Sequence, residues 1–353
     1  MIRAQVVGAT GYGGIGIVEL LLRHPEIEVV SLLAKTDVGR PLSDYFPHLR
    51  GFCDMVVEDA LPERIGGDCD VVIFATPDRV GMQHAEQVLA GGAAMLDYSG
   101  DFRFDSVERY QRYADRHPSV GGRPHTAPDL LARSAYGIPE LYRAKIQRSR
   151  LVGNPGCFSV AMILALAPAV KEGLIDPARI AVDGKTGISG AGKKPGPALH
   201  FPDRDGDVRA YRAARHQHVV EAQMALSDLA GAAVGLTFVP HYVPVTRGIL
   251  VTAYGDLRRD VTEADVHAIY HAFYEGEPFV RVFPPGVMCG LKTTVGSNLC
   301  DISFALDRDN GRLVLMGAVD NLLKGQAGSA LQNVNAMFGF PETLGLERTP
   351  MYP

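Results

Sequence analysis

The start of the chain leaves few folds open. Ile2 to Val7 is a β-prone run, and Gly8-Ala9-Thr10-Gly11-Tyr12-Gly13-Gly14 follows it. Ile15 to Arg23 then carries Ile17, Val18, Leu20, Leu21 and Leu22 as a helix, and Glu28 to Ala34 is a second buried strand. Strand, glycine turn, helix and strand make a βαβ unit, the start of a doubly wound α/β sheet. Glycines at 8, 11 and 14 let a diphosphate approach the backbone, with its charge resting on the helix N-terminus. Gly8, Thr10, Gly11, Tyr12, Gly13 and Gly14 are therefore the expected cofactor contacts. The end of the second strand selects between NAD and NADP. Lys35 and Thr36 favour the 2′-phosphate of NADP, and Asp37 is the contrary sign. A further strand, Asp70 to Ala75, ends in Thr76-Pro77, which should face the same crevice.

With 353 residues, two domains are expected. Residues 1–150 read as a Rossmann-type NADP-binding domain, joined by a C-terminal helical stretch over 320–353. Residues 151–319 read as an α+β catalytic and oligomerisation domain. Its strands fall near 179–185, 234–239, 248–254, 279–283, 300–305 and 313–319, as antiparallel β with two helices on one side. Such a sheet suits a subunit interface. The stretch from Asp105 to Glu140 reads as a loop-rich connection. A net charge of −5 without a basic block argues against nucleic acid. No apolar run is long enough for a membrane span. The amino terminus enters a strand pattern without a signal-peptide core, so the cytoplasm is the expected compartment. Five cysteines without CxxC spacing are neither a disulfide framework nor a zinc site.

The candidate chemistry centres on Asn154-Pro155-Gly156-Cys157. Pro and Gly make a tight turn, and the apolar run from Phe158 to Val170 is a helix. Cys157 then sits where unpaired backbone N–H groups and the helix dipole favour a negative charge, and thiolate becomes more available. Arg103, in the polar loop Asp97 to Arg103, is a candidate clamp for a substrate anion; a salt bridge to Asp97 or Asp101 is the equal alternative. The run from Lys185 to Lys194 is glycine-rich but lacks the order of a phosphate-binding P-loop. Its Ser189-Gly190 could still offer N–H groups to an anion. In His216-Gln217-His218-Val219-Val220-Glu221 the pattern is not HExxH, and no metal is expected. A cysteine nucleophile needs an acid–base partner, and a histidine from this pair suits it.

Taken together, these stretches resemble the N-acetyl-gamma-glutamyl-phosphate reductase family, related to aspartate-semialdehyde dehydrogenase. The resemblance rests on residues 8–14, 100–103, 137–141, 153–158, 187–192, 216–221, 240–248 and 320–328, which stand in family order over nearly the whole chain. It implies an NADP(H)-dependent enzyme of arginine biosynthesis acting on a small acyl phosphate through a Cys157 thioacyl intermediate. It also implies His216 ahead of His218 as acid–base, Asn321 among the cofactor contacts, and Asn154 with Arg103, Ser189 and Gly190 among the substrate contacts. A homodimer or homotetramer is implied, without metal. The chain departs from the family at Gly100, Ser159-Val160, Gln217, Val219, Val220 and Ala222. An aminoadipyl phosphate reductase and an aspartate-semialdehyde dehydrogenase are the alternative enzymes, and a dinucleotide sensor is the non-enzyme alternative.

Overall fold

The computed structural model describes residues 1–196 and 199–352. The chain forms two units. Unit 1 contains Met1–Pro155 and Gln326–Glu347; unit 2 contains Gly156–Gly325 and the residues from Arg348 onward.

Unit 1 begins with β1 (Ile2–Val7), α1 (Tyr12–Leu21), β2 (Ile27–Ala34), α2 (Leu42–Tyr45) and β3 (Glu58–Asp59). It continues through β4 (Val71–Phe74), α3 (Gly81–Ala90), β5 (Ala94–Asp97), α4 (Val107–Arg116), β6 (Ala135–Tyr136), α5 (Pro139–Ile146) and β7 (Leu151–Gly153). The strands form one sheet in the order β3-β2-β1-β4-β5-β7-β6, and every pairing is parallel. The order reverses between β1 and β4, the switch point at whose carboxyl ends ligands bind in open α/β sheets. All of Val71-Val72-Ile73-Phe74 is buried, as a parallel strand covered on both faces requires.

The stretch expected to be loop contains α4. Half of its residues are charged, and only Tyr110, Tyr113 and Ala114 are buried. That spacing of three and four is a helical face, narrowed to a stripe by Glu and Arg on the other sides. Ser106 caps it by accepting from the Arg109 N–H at 3.3 Å. α1 starts at Tyr12, not Ile15.

Unit 2 opens with α6 (Cys157–Lys171), then β8 (Ile180–Thr186), α7 (Phe201–Arg204), β9 (Arg209–Ala210), α8 (His218–Ala230), β10 (Leu236–Tyr242) and β11 (Ile249–Asp256). α9 (Glu263–Phe273), β12 (Val280–Val282), β13 (Cys300–Asp307) and β14 (Arg312–Val319) complete it. Every residue from Phe158 to Val170 is buried, so α6 is a central helix and not an amphipathic one. Pro168 lies inside it and offers no N–H to the Leu164 carbonyl. The Tyr274 hydroxyl donates to that carbonyl instead, and Tyr270 caps Ala165 O at 2.8 Å. The sheet order is β12-β13-β14-β11-β8-β10-β9. It is mixed and not simply antiparallel: β8 pairs parallel with β10, and β12 with β13.

The expected helix over 320–353 is shorter. A π-helical turn, Leu323–Ala327, precedes α10 (Gly328–Phe338), which belongs to unit 1 and ends at Gly339 with φ 76°. Pro353 lies outside the described residues.

Candidate active site

In unit 1 the glycine turn is built by close backbone packing. Gly8 has φ +88°, and a Cβ there would lie 2.5 Å from the Ala75 carbonyl oxygen; one on Gly14 would lie 2.1 Å from Gly8 O. Gly8 and Ala9 donate to Leu33 O at 2.7 and 3.1 Å, fixing the turn to the end of β2. Thr10 Oγ1 donates to Thr36 O at 3.2 Å. Gly11 caps α1 without a side-chain hydrogen bond, and the first turn holds no acid. Uncapped N–H groups beside a cradle that a side chain would fill fit a diphosphate. Thr76 Oγ1 is buried without a hydrogen-bond partner, and the Thr76 methyl lies 3.3 Å from the position of a Gly8 Cβ. Pro77 follows it. These features fit a dinucleotide. Lys35 stands just past β2 with a mostly exposed side chain, 3.4 Å from Asp59.

Two unit 1 residues missed in the sequence flank Gly13. A Cβ there would lie 2.9 Å from Gln326 Nε2 and 3.2 Å from the Tyr98 ring. Gln326 directly follows the Asp320–Gly325 stretch, so its number alone gave no hint of this neighbour.

Arg103 and Asn154 act on the unit 1 backbone. Arg103 is buried; its Nε donates to Asn154 O at 2.7 Å, and its Nη2 donates to Tyr98 O. Asn154 has no exposed surface; its amide donates to Gln326 O at 2.9 Å and accepts from Asn333 Nδ2 at 3.1 Å. Its backbone N–H donates to Asp97 O at 2.7 Å. A side chain so enclosed braces the turn before Cys157. Asp97 and Asp101 have other partners. Ser99 donates to Asp97, and the Arg79 and Met82 N–H groups donate to Asp101 at 2.9 and 3.1 Å. Burial pushes both carboxyls up, Asp101 to about 6. The departure at Gly100 has a steric reason, since a Cβ would lie 2.2 Å from Tyr113 Cε1.

In unit 2, Cys157 is the first residue of α6 and is partly exposed. The Gly156 N–H before it donates to the buried Glu221 carboxylate at 2.9 Å. A Cβ on Gly156 would lie 2.5 Å from His218 Nε2, so the imidazole rests on the backbone next to the thiol. α8 begins at His218, which puts His218 and Glu221 on successive positions of one helical face. His216 lies before that helix. Its Nδ1 accepts the His218 N–H at 3.2 Å, leaving the neutral ring's proton on Nε2. The two imidazole centroids are 4.7 Å apart, with Phe158 and Phe238 packed 5.7 and 5.6 Å from His216. Tyr211 lies 5.7 Å from His216 and stacks on Tyr242 at 4.1 Å. Burial raises both phenols. These tyrosines, and Gly325, were not expected at the site. A Cβ on Gly325 would lie 2.8 Å from Cys157 Cβ, so only glycine lets the π-helical turn pass the nucleophile.

The loop carrying Ser189 and Gly190 is laced to the chain opposite. Ile188 and Ser189 donate to Val245 and Thr246 carbonyls at 2.9 and 3.1 Å. Asn321 Nδ2 donates to Ser189 Oγ at 3.0 Å, and Asn321 Oδ1 accepts from the Gly248 N–H at 2.7 Å. Both ends of this buried amide make hydrogen bonds within unit 2, so Asn321 holds the loop at Ser189 in place. Among the described residues no group of His, Cys, Asp or Glu could hold a metal ion.

Comparison with known proteins agrees with this division. Residues 3–149 match the semialdehyde dehydrogenase NAD-binding domain, and residues 157–321 match the semialdehyde dehydrogenase dimerisation domain. The N-acetyl-gamma-glutamyl-phosphate reductase of Symbiobacterium thermophilum is 43% identical, over 100% of this chain and 99% of the relative. That of Geobacter sp. strain M21 is 41% identical over 100% of both. Among solved structures, aspartate semialdehyde dehydrogenase II of Vibrio cholerae superposes with a TM-score of 0.71 at 15% identity, covering 96% of this chain and 98% of its own. The Candida albicans aspartate semialdehyde dehydrogenase solved with NADP gives 0.68 at 16%, covering 96% and 98%. These structures support the α/β fold. Among the described residues no helix is long and apolar enough to cross a membrane.

Proposed function

The chain belongs to the N-acetyl-gamma-glutamyl-phosphate reductase family, and on that premise we propose the roles of its residues. It is an oxidoreductase of the semialdehyde dehydrogenase type. The reaction is reduction of N-acetyl-gamma-glutamyl phosphate to N-acetyl-glutamate 5-semialdehyde and phosphate, a step of arginine biosynthesis. The observation that carries the assignment is Cys157 at the start of α6, beside a histidine seated on Gly156.

Cys157 attacks the acyl phosphate carbonyl, its thiol proton passes to imidazole, and the C–O bond to phosphate breaks. The product is a thioester on Cys157, a better hydride acceptor than the charged acyl phosphate. NADPH, when bound, supplies the hydride. Hydride addition leaves a thiohemiacetal oxyanion that imidazolium protonates. Imidazole then takes that proton back as the C=O forms and the C–S bond breaks, releasing aldehyde, and returns it to the Cys157 sulfur. We assign the proton transfers to His218, ahead of His216. His218 Nε2 lies against the backbone at Cys157, whereas the His216 Nδ1 lone pair is engaged by the His218 N–H. Glu221, holding Gly156, sets the spacing of thiol and imidazole.

The 2′-phosphate preference rests on Lys35, whose exposed ammonium stands at the end of β2. The match to a dimerisation domain supports oligomerisation, and the half-exposed side chains of β11 and β14 offer the sheet face for a homodimer or homotetramer. A soluble cytoplasmic enzyme is the reading that suits five cysteines outside any disulfide.

The test runs the reaction backwards, with NADP+, phosphate and N-acetyl-glutamate semialdehyde, following NADPH absorbance for wild type and Cys157→Ser. Turnover by wild type and a loss of about 10⁴-fold or more in the variant are expected. Activity confined to the aldehyde one methylene longer would move the assignment to the aminoadipyl reaction, and silence with both would overturn it.

A further inference from the structure

Arg204 is among the buried charges of unit 2 that the mechanism above does not use. Arg204 ends α7, and only 3% of its side chain is exposed. Its Nη2 lies 2.9 Å from Asp207 Oδ2, an ion-pair distance, yet the geometry is poor. Neither atom makes a hydrogen bond, and Arg204 Nε has no partner either. A buried guanidinium normally spends its fork of N–H donors, because desolvating them without hydrogen bonds costs free energy. Asp207 is shared, since Arg209 Nε also approaches it at 3.3 Å.

The surroundings tie Arg204 to the site. The chain runs from α7 through Asp207 into β9, whose Arg209 and Ala210 pair with Tyr242 and His241 of β10. Tyr211 follows β9, stacks on Tyr242 and touches the His216 ring. Tyr242 lies within electrostatic reach of the Cys157 sulfur and of the Arg212 and Arg204 guanidiniums. A cation with unspent, geometrically forked donors, on the segment leading to the tyrosine pair, suits a planar oxyanion.

We propose that Arg204 is a substrate-binding residue that takes an oxyanion of the acyl phosphate, with Asp207 as the counter-ion it holds until substrate arrives. Two groups of the substrate share this chemistry, the acyl chain's carboxylate and the phosphoryl group. The identity of the acyl chain rests on the function proposed above; the oxyanion contact does not.

The experiment therefore avoids turnover. Iodoacetamide alkylates Cys157, read by mass spectrometry of the Cys157 peptide, while N-acetylglutamate or inorganic phosphate is titrated in as protectant. Wild type should be protected by one of them, and the effective one identifies the group. Arg204→Leu should raise the half-protecting concentration roughly ten- to a hundred-fold, the size of a lost charged hydrogen bond, and Arg204→Lys should restore part of it. Asp207→Asn should lower it, because the competing carboxylate is gone, whereas a purely structural pair would weaken protection in both variants alike. Unprotected alkylation rates and melting temperatures near wild type show that the variants fold. Equal protection of wild type and Arg204→Leu, no protection of wild type by either anion, or parallel weakening in Arg204→Leu and Asp207→Asn would overturn the inference. Failure of the aldehyde assay with intact protection would overturn the proposed reaction alone.

Discussion

The glycine turn of unit 1 and the thiol–imidazole cluster of unit 2 are built on opposite principles. The turn works by lacking side chains: Gly8 and Gly14 approach neighbouring backbone so closely that any Cβ would collide with a carbonyl oxygen. The cluster depends on side chains from separate stretches, with Cys157 on α6, His218 and Glu221 on α8, and Tyr211 and Tyr242 beside β9 and β10. Even there a glycine sets the distance, since Gly156 leaves just enough room for the His218 ring. Backbone sites are specified locally, whereas side-chain sites need the tertiary fold to converge.

Alanine at one glycine of each region breaks the comparison most severely. Gly14→Ala should abolish cofactor binding, because its Cβ would sit 2.1 Å from a backbone oxygen that cannot swing away. Nicotinamide fluorescence titration checks this, and Cys157 alkylation should persist. Gly156→Ala should do the reverse, leaving cofactor affinity intact while kcat falls by roughly 10², as a displaced histidine predicts. Equal damage to both functions by either variant would contradict the division of labour.

Within unit 2, His218→Asn should lower kcat by roughly 10²–10³-fold, the range for a lost acid–base group. His216→Asn should cost less, since its amide can still accept the His218 N–H. The pH–rate profile discriminates: the acidic limb, where the imidazole that accepts the thiol proton is already protonated, should disappear only in the His218 variant. In unit 1, Lys35→Glu should raise the KM for NADPH about tenfold, as a lost phosphate contact would, and leave NADH nearly unchanged.

The contrast also explains what could be read from the sequence. The βαβ start, the buried strands and the helix behind Cys157 are local patterns, and the structure carries them within a few residues. α4 was lost because its buried stripe is three residues among charges. Asn154, Asn321 and Arg103 read as polar residues in loops, whereas the main-chain groups each one bonds are distant in sequence and leave no local signal. Gly325 and Tyr211 carry no local signal, because what each touches is set by a π-helical turn and a short strand.

The smallest effect concerns pH and sharpens the picture of unit 1. His125 accepts the Ala127 N–H on Nδ1 at 3.0 Å and donates from Nε2 to Asp101 O at 2.8 Å, and burial lowers its pKa. The unfolded chain takes up this proton below about pH 6.5, so folding stability should fall as pH drops through that range. Asp101 runs the other way: with its folded pKa raised to about 6, stability falls as pH rises from the unfolded value of 3.8 toward 6. Urea titrations at pH 5.5 and 7.5 should show a smaller acid-side loss in His125→Gln than in wild type.

The most direct measurement withholds phosphate. Enzyme mixed with N-acetyl-glutamate semialdehyde and NADP+ alone should form one NADPH per active site and stop, with the acyl group found on the Cys157 peptide by mass spectrometry. Adding phosphate should then restart turnover. Steady NADPH formation without phosphate, or a burst with no acyl adduct on Cys157, would contradict the thioester account.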